Sequence, residues 1–201
     1  SEVTAFRLAG GHSLVEATSI GIGRDPLALA RVARATGLNI VMGGGYYVPA
    51  SYHSGLADMT EDQVYDRLAH EVTLGVGDTG IKTGIIGEVG NFWPTSETSR
   101  KILRASAHAS VETGAPILVH PGFHTDALLH HINDLVEAGA RPERTILGHL
   151  DAFPNMDLIR SVAETGVNME YDTFGFEDTV WGAVAGQEIF IPTDVQRMER
   201  L

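Results

Sequence analysis

Three residues with cation-binding side chains stand at matching places in this chain: Glu88 closes the run GIIGE, His120 closes PILVH and His149 closes TILGH. Their separations are 32 and 29 residues, one strand-plus-helix unit each time, so the spacing predicts that a carboxylate and two imidazoles converge on one face of a repeated array. A lone histidine at a strand end is more often a hydrogen-bonded structural residue. Three such groups in register differ, because burying an unpaired carboxylate is expensive and a cation compensates it. The chemistry such a set supports best is attack by a metal-activated water.

Other chemistries fit less well. Schiff-base catalysis needs a desolvated lysine in the site, yet the two lysines, Lys82 and Lys101, fall at the beginning of a strand and in a helix. No GxSxG elbow is present for a serine nucleophile. The absence of cysteine removes thiolate nucleophiles and disulfides, and leaves any metal to histidine and carboxylate. Among the remaining histidines, His53 and His124 fall in loops on the same face as the triad, where either could touch a substrate, His124 being the better placed. His70, His108, His130 and His131 lie in helical patterns and read as structural or solvated, and His12 opens a strand at the opposite face.

The elements that must position these groups alternate along the chain. Apolar runs at 12–20, 39–47, 82–90, 116–122, 145–151 and 168–175 predict strands, several of them continuously apolar as strands covered on both faces require. Between them, DPLALARVARATG has Asp25 as a cap, Pro26 at the first helical position and Gly37 to end it. TEDQVYDRLAHEV opens with capping-box spacing from Thr60 to Gln63 and aligns Val64, Leu68 and Val72 on one stripe. In DALLHHINDLVEAG the stripe is Leu128, Ile132, Leu135 and Val136. Gly37, Gly114, Gly139 and Gly166 recur at helix ends shortly before a strand, where a left-handed cap is expected.

An array of about six βα units can open into a doubly wound sheet or close into a barrel. The glycines nearest to a nucleotide-binding turn, Gly43 to Gly45, run into YYVPASYH, a loop and not a helix start. A TIM barrel suits the regular spacing, although the chain is two strands short of eight. With 201 residues, 43% hydrophobic and 20% charged, one globular domain spanning residues 1–201 is expected. A net charge of -12 argues against nucleic acid, and no apolar run approaches the roughly 18 residues of a membrane helix.

The ordered motifs GGHSLVEATS, IGRDP, GDTGIKTGIIGEVG, ILVHPG, TILGHLD and YDTFG together resemble the phosphotriesterase family of the amidohydrolase superfamily, along nearly the whole chain. The resemblance implies a (β/α)8 TIM barrel of which strands 2 to 7 fall within residues 1–201, as a partial metal-dependent hydrolase domain. It implies two divalent metal ions, Zn2+ first and Co2+, Mn2+ or Fe2+ as alternatives. Glu88 would be the catalytic carboxylate bridging both ions, with His120 and His149 as single ligands. The HxH pair of strand 1 would precede Ser1 and the strand 8 aspartate would follow Leu201. His12 is not half of that pair, since position 14 is Leu, and neither Asp172 nor Asp194 matches the aspartate.

Glu88 stands where triesterases of the family carry a carboxylated lysine, which resembles the glutamate-bridged branch with the phosphotriesterase homology proteins and phosphotriesterase-like lactonases. Tyr47 matches a pocket-lining position of related lactonases, and Thr173 and Phe174 join His124 as further pocket candidates. The implied activity is catabolic hydrolysis of a small molecule, a lactone or other carboxylic ester or amide, by water activated between two metals, with phosphotriesters as a side activity. The alternative is a non-catalytic, truncated or degenerate barrel that serves as a binding protein or is a fragment. A cytoplasmic location is expected, with no membrane or nucleic-acid partner, and assembly as a homodimer is left open.

Overall fold

Among the described residues six short strands pair in parallel, each with the next in sequence: β1 (Ser13–Glu16), β2 (Asn39–Gly44), β3 (Ile85–Gly90), β4 (Ile117–His120), β5 (Thr145–Leu147) and β6 (Asn168–Met169). The computed structural model describes residues 2–175 and 192–200. Helices α1 (Glu2–Leu8), α2 (Pro26–Thr36), α3 (Glu61–Thr73), α4 (Glu97–Thr113), α5 (Thr125–Glu137), α6 (Met156–Glu164) and α7 (Asp194–Met198) complete the array. Consecutive parallel pairing is the wall of a (β/α)8 barrel, here as six of its strands, and it puts every strand's C-terminal end on one face. None of the described helices is long and apolar enough to cross a membrane.

Local chemistry explains the helix ends. Asp25 accepts a hydrogen bond from the Ala28 amide at 2.9 Å, and Thr60 with Gln63 forms a reciprocal capping box. The four joint glycines all adopt positive φ, from 70° at Gly37 to 91° at Gly139. The core lies between the sheet and α3, α4 and α5; β4 is buried at every position, and Ile102, Leu103, Ile117 and Leu128 exclude water completely. At α5 the buried stripe is Ala127, Leu128, His131, Ile132 and Leu135. Val136, expected in that stripe, is 44% exposed, because two turns at 100° per residue carry it to the stripe's edge. His131 takes the inward phase instead.

The strands are shorter than the apolar runs suggest. The chain leaves the ladder after Glu16, Gly44, His120, Leu147 and Met169, and the residues beyond bond loop to loop. The Ile20 amide donates to Gly45, the Asn91 amide to His120 and the Leu150 amide to Glu170. Leaving the ladder frees these residues from strict alternation, so neighbouring polar side chains can face the same mouth. Lys101 points away from it: its ammonium donates to the carbonyls of Leu56, Ala57 and Met59, tying the loop after β2 to α4.

Candidate metal centre

Close approach of backbones places the carboxylate. A Cβ at Gly87 would lie 2.4 Å from the Leu118 carbonyl oxygen, and its φ of 148° is a region that side chains rarely enter, so only glycine lets β3 run this near β4. The next residue, Glu88, drops out of the ladder register. Its amide instead donates to Ala17 at 3.0 Å and its carbonyl accepts from the Ser19 hydroxyl at 2.7 Å. His120 is the last residue of β4. His149 lies two residues beyond β5 and is the one non-glycine at positive φ among the described residues, at 59°. Such a conformation persists only where surrounding contacts hold it.

These backbones bring Glu88, His120 and His149 together, one ligand atom from each lying within 4.8 Å of the others. His149 Nε2 is 2.8 Å from Glu88 Oε1, and His120 Nδ1 faces the same oxygen from 3.6 Å. The two imidazoles meet edge to face, with ring centres 4.7 Å apart. Behind His149, Asp172 holds Nδ1 at 2.8 Å. A carboxylate on one imidazole nitrogen fixes the ring and leaves the other nitrogen to face an ion, the usual outer arrangement of a histidine ligand. Sequence reasoning set Asp172 aside as a mismatch for the strand 8 aspartate; the structure places it here.

Electrostatics favour a cation at this point. Burial opposes ionisation of Glu88, but the hydrogen bonds and charges of His120 and His149 outweigh it and hold the carboxyl at about 2. Since 3.6 Å exceeds hydrogen-bond length, the pull from His120 is best read as one of charge. Burial likewise opposes charge on His149, yet Asp172 and Glu88 raise it to about 10. Glu170 is pushed up to about 7, first by burial and then by Asp172, with Glu88 and Asp151 adding to it. Its Oε2 lies 3.0 Å from the point a Cβ on Gly148 would occupy, and Glu88 Oε1 lies 3.9 Å from that point. His120 Nδ1 is buried with no hydrogen-bond partner while aimed at a carboxylate. An orphaned imidazole nitrogen among crowded carboxylates is the donor set of a divalent ion, and these residues fit one.

Around the triad stands an aromatic wall. Tyr47 lies 5.1 Å from the His120 ring, and burial, helped by the Glu88 charge, raises its phenol to about 12, so it stays a donor. Phe123 meets His120 edge-on at 5.7 Å and stacks on His149 at 6.4 Å, a role that no spacing pattern in HPGFH announces. His124 caps α5, accepting from the Asp126 amide at 3.2 Å, and stacks on Trp93 at 5.8 Å rather than on the triad. His53 bonds the Ser54 carbonyl at 2.9 Å. Thr173 directs its amide and hydroxyl to Asp151, and Phe174 lies beneath the Arg197 guanidinium at 5.9 Å. Glu170 and Asp172 were legible only as alternate residues of MEYD, one face of a strand end.

A barrel wall that brings a carboxylate and two histidines together at the C-terminal ends of successive strands is a candidate divalent-metal centre. The chain belongs to the phosphotriesterase family, whose family model matches residues 1–198. It is 41% identical over 202 residues to an N-acetyltaurine hydrolase from Xenopus tropicalis, covering 100% of this chain and 57% of that protein. A resiniferatoxin-binding protein from Rhodobacter sphaeroides superposes with a TM-score of 0.92 at 32% identity, over 99% of this chain and 55% of its own. A mutant phosphotriesterase-like lactonase from Deinococcus radiodurans gives a TM-score of 0.84 at 26% identity, over 98% of this chain and 60% of its own. The chain therefore spans little more than half the length of the relatives it matches.

Proposed function

We propose that the protein is a metal-dependent amidase that cleaves the carboxylic amide of a small N-acyl amine, with N-acyl aminosulfonates as the first class to test. Convergence of Glu88, His120 and His149, with the His120 Nδ1 orphaned beside the carboxylate, carries the hydrolase reading. The substrate class rests on the relative at 41% identity, which is named for hydrolysis of N-acetyltaurine. A lactone is the second reading, favoured by the lactonase superposition and by Tyr47 in the pocket wall; phosphotriesters would be a side activity.

In this reading residues 1–201 form one partial barrel domain that supplies three ligands. Two divalent ions, Zn2+ first, would polarise the scissile carbonyl and lower the pKa of water. Glu88 would hold the ions through its carboxylate, with His120 and His149 as the histidine ligands. Asp172 holds His149 Nδ1, which leaves Nε2, now against Glu88, as the nitrogen that would serve as ligand. Tyr47 presents a neutral phenol that can donate to a substrate oxygen, and Phe123 covers the imidazoles with an apolar ring that limits the water beside them. His124, Thr173 and Phe174 belong to the outer pocket rim.

The test uses the protein with its native flanking sequence. Glu88→Gln should lower bound metal and hydrolysis of N-acetyltaurine together, by more than about tenfold. Fewer than one ion per chain in the unsubstituted protein, with no turnover of amide, lactone or triester, would overturn the enzyme reading in favour of a binding protein.

A further inference from the structure

Arg197 is 1% exposed and Asp151 is fully buried, an unusual investment for a five-residue helix such as α7. Taking such a pair out of water costs several kcal/mol, and well-packed apolar residues often serve stability as well or better. What an ion pair supplies and an apolar pair does not is direction. Arg197 Nε donates to Asp151 Oδ2 at 2.8 Å and its Nη1 to Asp194 at 2.5 Å. The Asp151 carboxylate also accepts from the Thr173 amide at 3.1 Å, from the Thr173 hydroxyl and, at 3.4 Å, from the Asp172 amide. Asp194 accepts from the Gly175 amide at 3.0 Å.

Asp151 follows His149 by two residues and reaches across to the loop after β6. That loop carries Asp172, whose carboxylate sits 2.8 Å from His149 Nδ1. A chain of contacts thus runs from α7 through Asp151 to the backbone of Asp172 and Thr173, then to His149 and the face it turns toward Glu88. We propose that the buried Asp151–Arg197 pair is a positioning device for the ion site, which sets the angle at which Asp172 holds His149. Neither residue touches substrate. Thr173 acts in the same chain, as a donor to Asp151 through its amide and hydroxyl.

The proposal rests on the metal-site reading, and the experiment separates the two. In the protein with its native flanks, Co2+ affinity is measured by competition with a chelator and the d–d spectrum of the Co2+ form is recorded. The metal-free form is checked by near-ultraviolet circular dichroism and by the downfield Nδ1–H resonance of His149. Asp151→Asn should retain the metal-free fold, weaken Co2+ binding by about 10–100-fold and shift the d–d bands, as loss of an outer-shell partner does. The His149 Nδ1–H signal should broaden or vanish in the metal-free variant.

Combining Asp151→Asn with Asp172→Asn should weaken binding little beyond Asp172→Asn alone, because both act through one imidazole; independent structural losses would multiply. Should Asp151→Asn fail to fold, Thr173→Val, which removes one hydroxyl donor at nearly constant shape, should still shift the bands. Unchanged affinity and spectrum in folded Asp151→Asn, or in Thr173→Val where Asp151→Asn does not fold, would overturn the proposal, as would multiplicative losses in the double variant. If Glu88→Gln also keeps full Co2+ affinity, the metal-site reading itself falls.

Discussion

His131 is buried on α5 behind the C-terminal end of β4, and neither ring nitrogen has a hydrogen-bond partner of good geometry. Burial first, and the neighbouring His130 second, depress its pKa to about 4, against opposing pulls from Asp134 and the Pro121 carbonyl. The unfolded ring, near 6.5, therefore binds more protons than the folded one over the whole interval between those values, so stability falls as pH falls. Linkage gives a loss of about 2 kcal/mol at about pH 5 and about 3 kcal/mol at about pH 4. His131→Leu removes this dependence at similar volume. Urea unfolding of chelator-treated protein near pH 8 and about pH 5 is the assay. The variant's advantage should grow by about 2 kcal/mol at the lower pH, about 1 M in midpoint for an m-value of about 2 kcal/mol/M. An advantage that is the same at both pH values would refute a buried neutral His131, because every other titrating group is common to the two proteins.

Three further outcomes follow from the geometry. Gly87→Ala forces a Cβ to within 2.4 Å of the Leu118 carbonyl and should cost on the order of 1–3 kcal/mol by thermal unfolding, with metal binding impaired as Glu88 shifts. Thr60→Ala removes the acceptor of the Gln63 amide and should cost about 1 kcal/mol while leaving metal stoichiometry intact, which makes it the control for stability alone. Phe123→Ala opens the wall over both imidazoles and should raise KM for N-acetyltaurine with a smaller effect on kcat; an unchanged KM would remove Phe123 from the pocket.

Much of the scaffold was legible because its signals are local. Asp25 and Thr60 announce helix starts, four glycines announce helix ends, and apolar runs at one-unit spacing carry Glu88, His120 and His149 to one face. What escaped is set by distant partners. Asp172 meets His149 across 23 residues and Arg197 meets Asp151 across 46, and nothing local in TDVQRM distinguishes a buried arginine from a solvated one. The adjacent pair His130 and His131 shows the same limit: a rotation of 100° sends one ring to Trp93 and the other into the core, and only the docking of α5 decides which. Strand lengths were overestimated because apolar content continues past the last ladder bond into residues that pack the mouth.

The consecutive order of the sheet also governs when the site can exist. Each ion-facing side chain arrives on a different βα unit, so no hairpin or isolated helix pair holds even two of them; Glu88 and His149 are joined only after the intervening units have docked. During synthesis this cluster is thus completed no earlier than the loop carrying Asp172, which holds His149 from outside. A chain folded only as far as β4 would bring Glu88 and His120 together but would still lack His149 and the Asp172 that holds it.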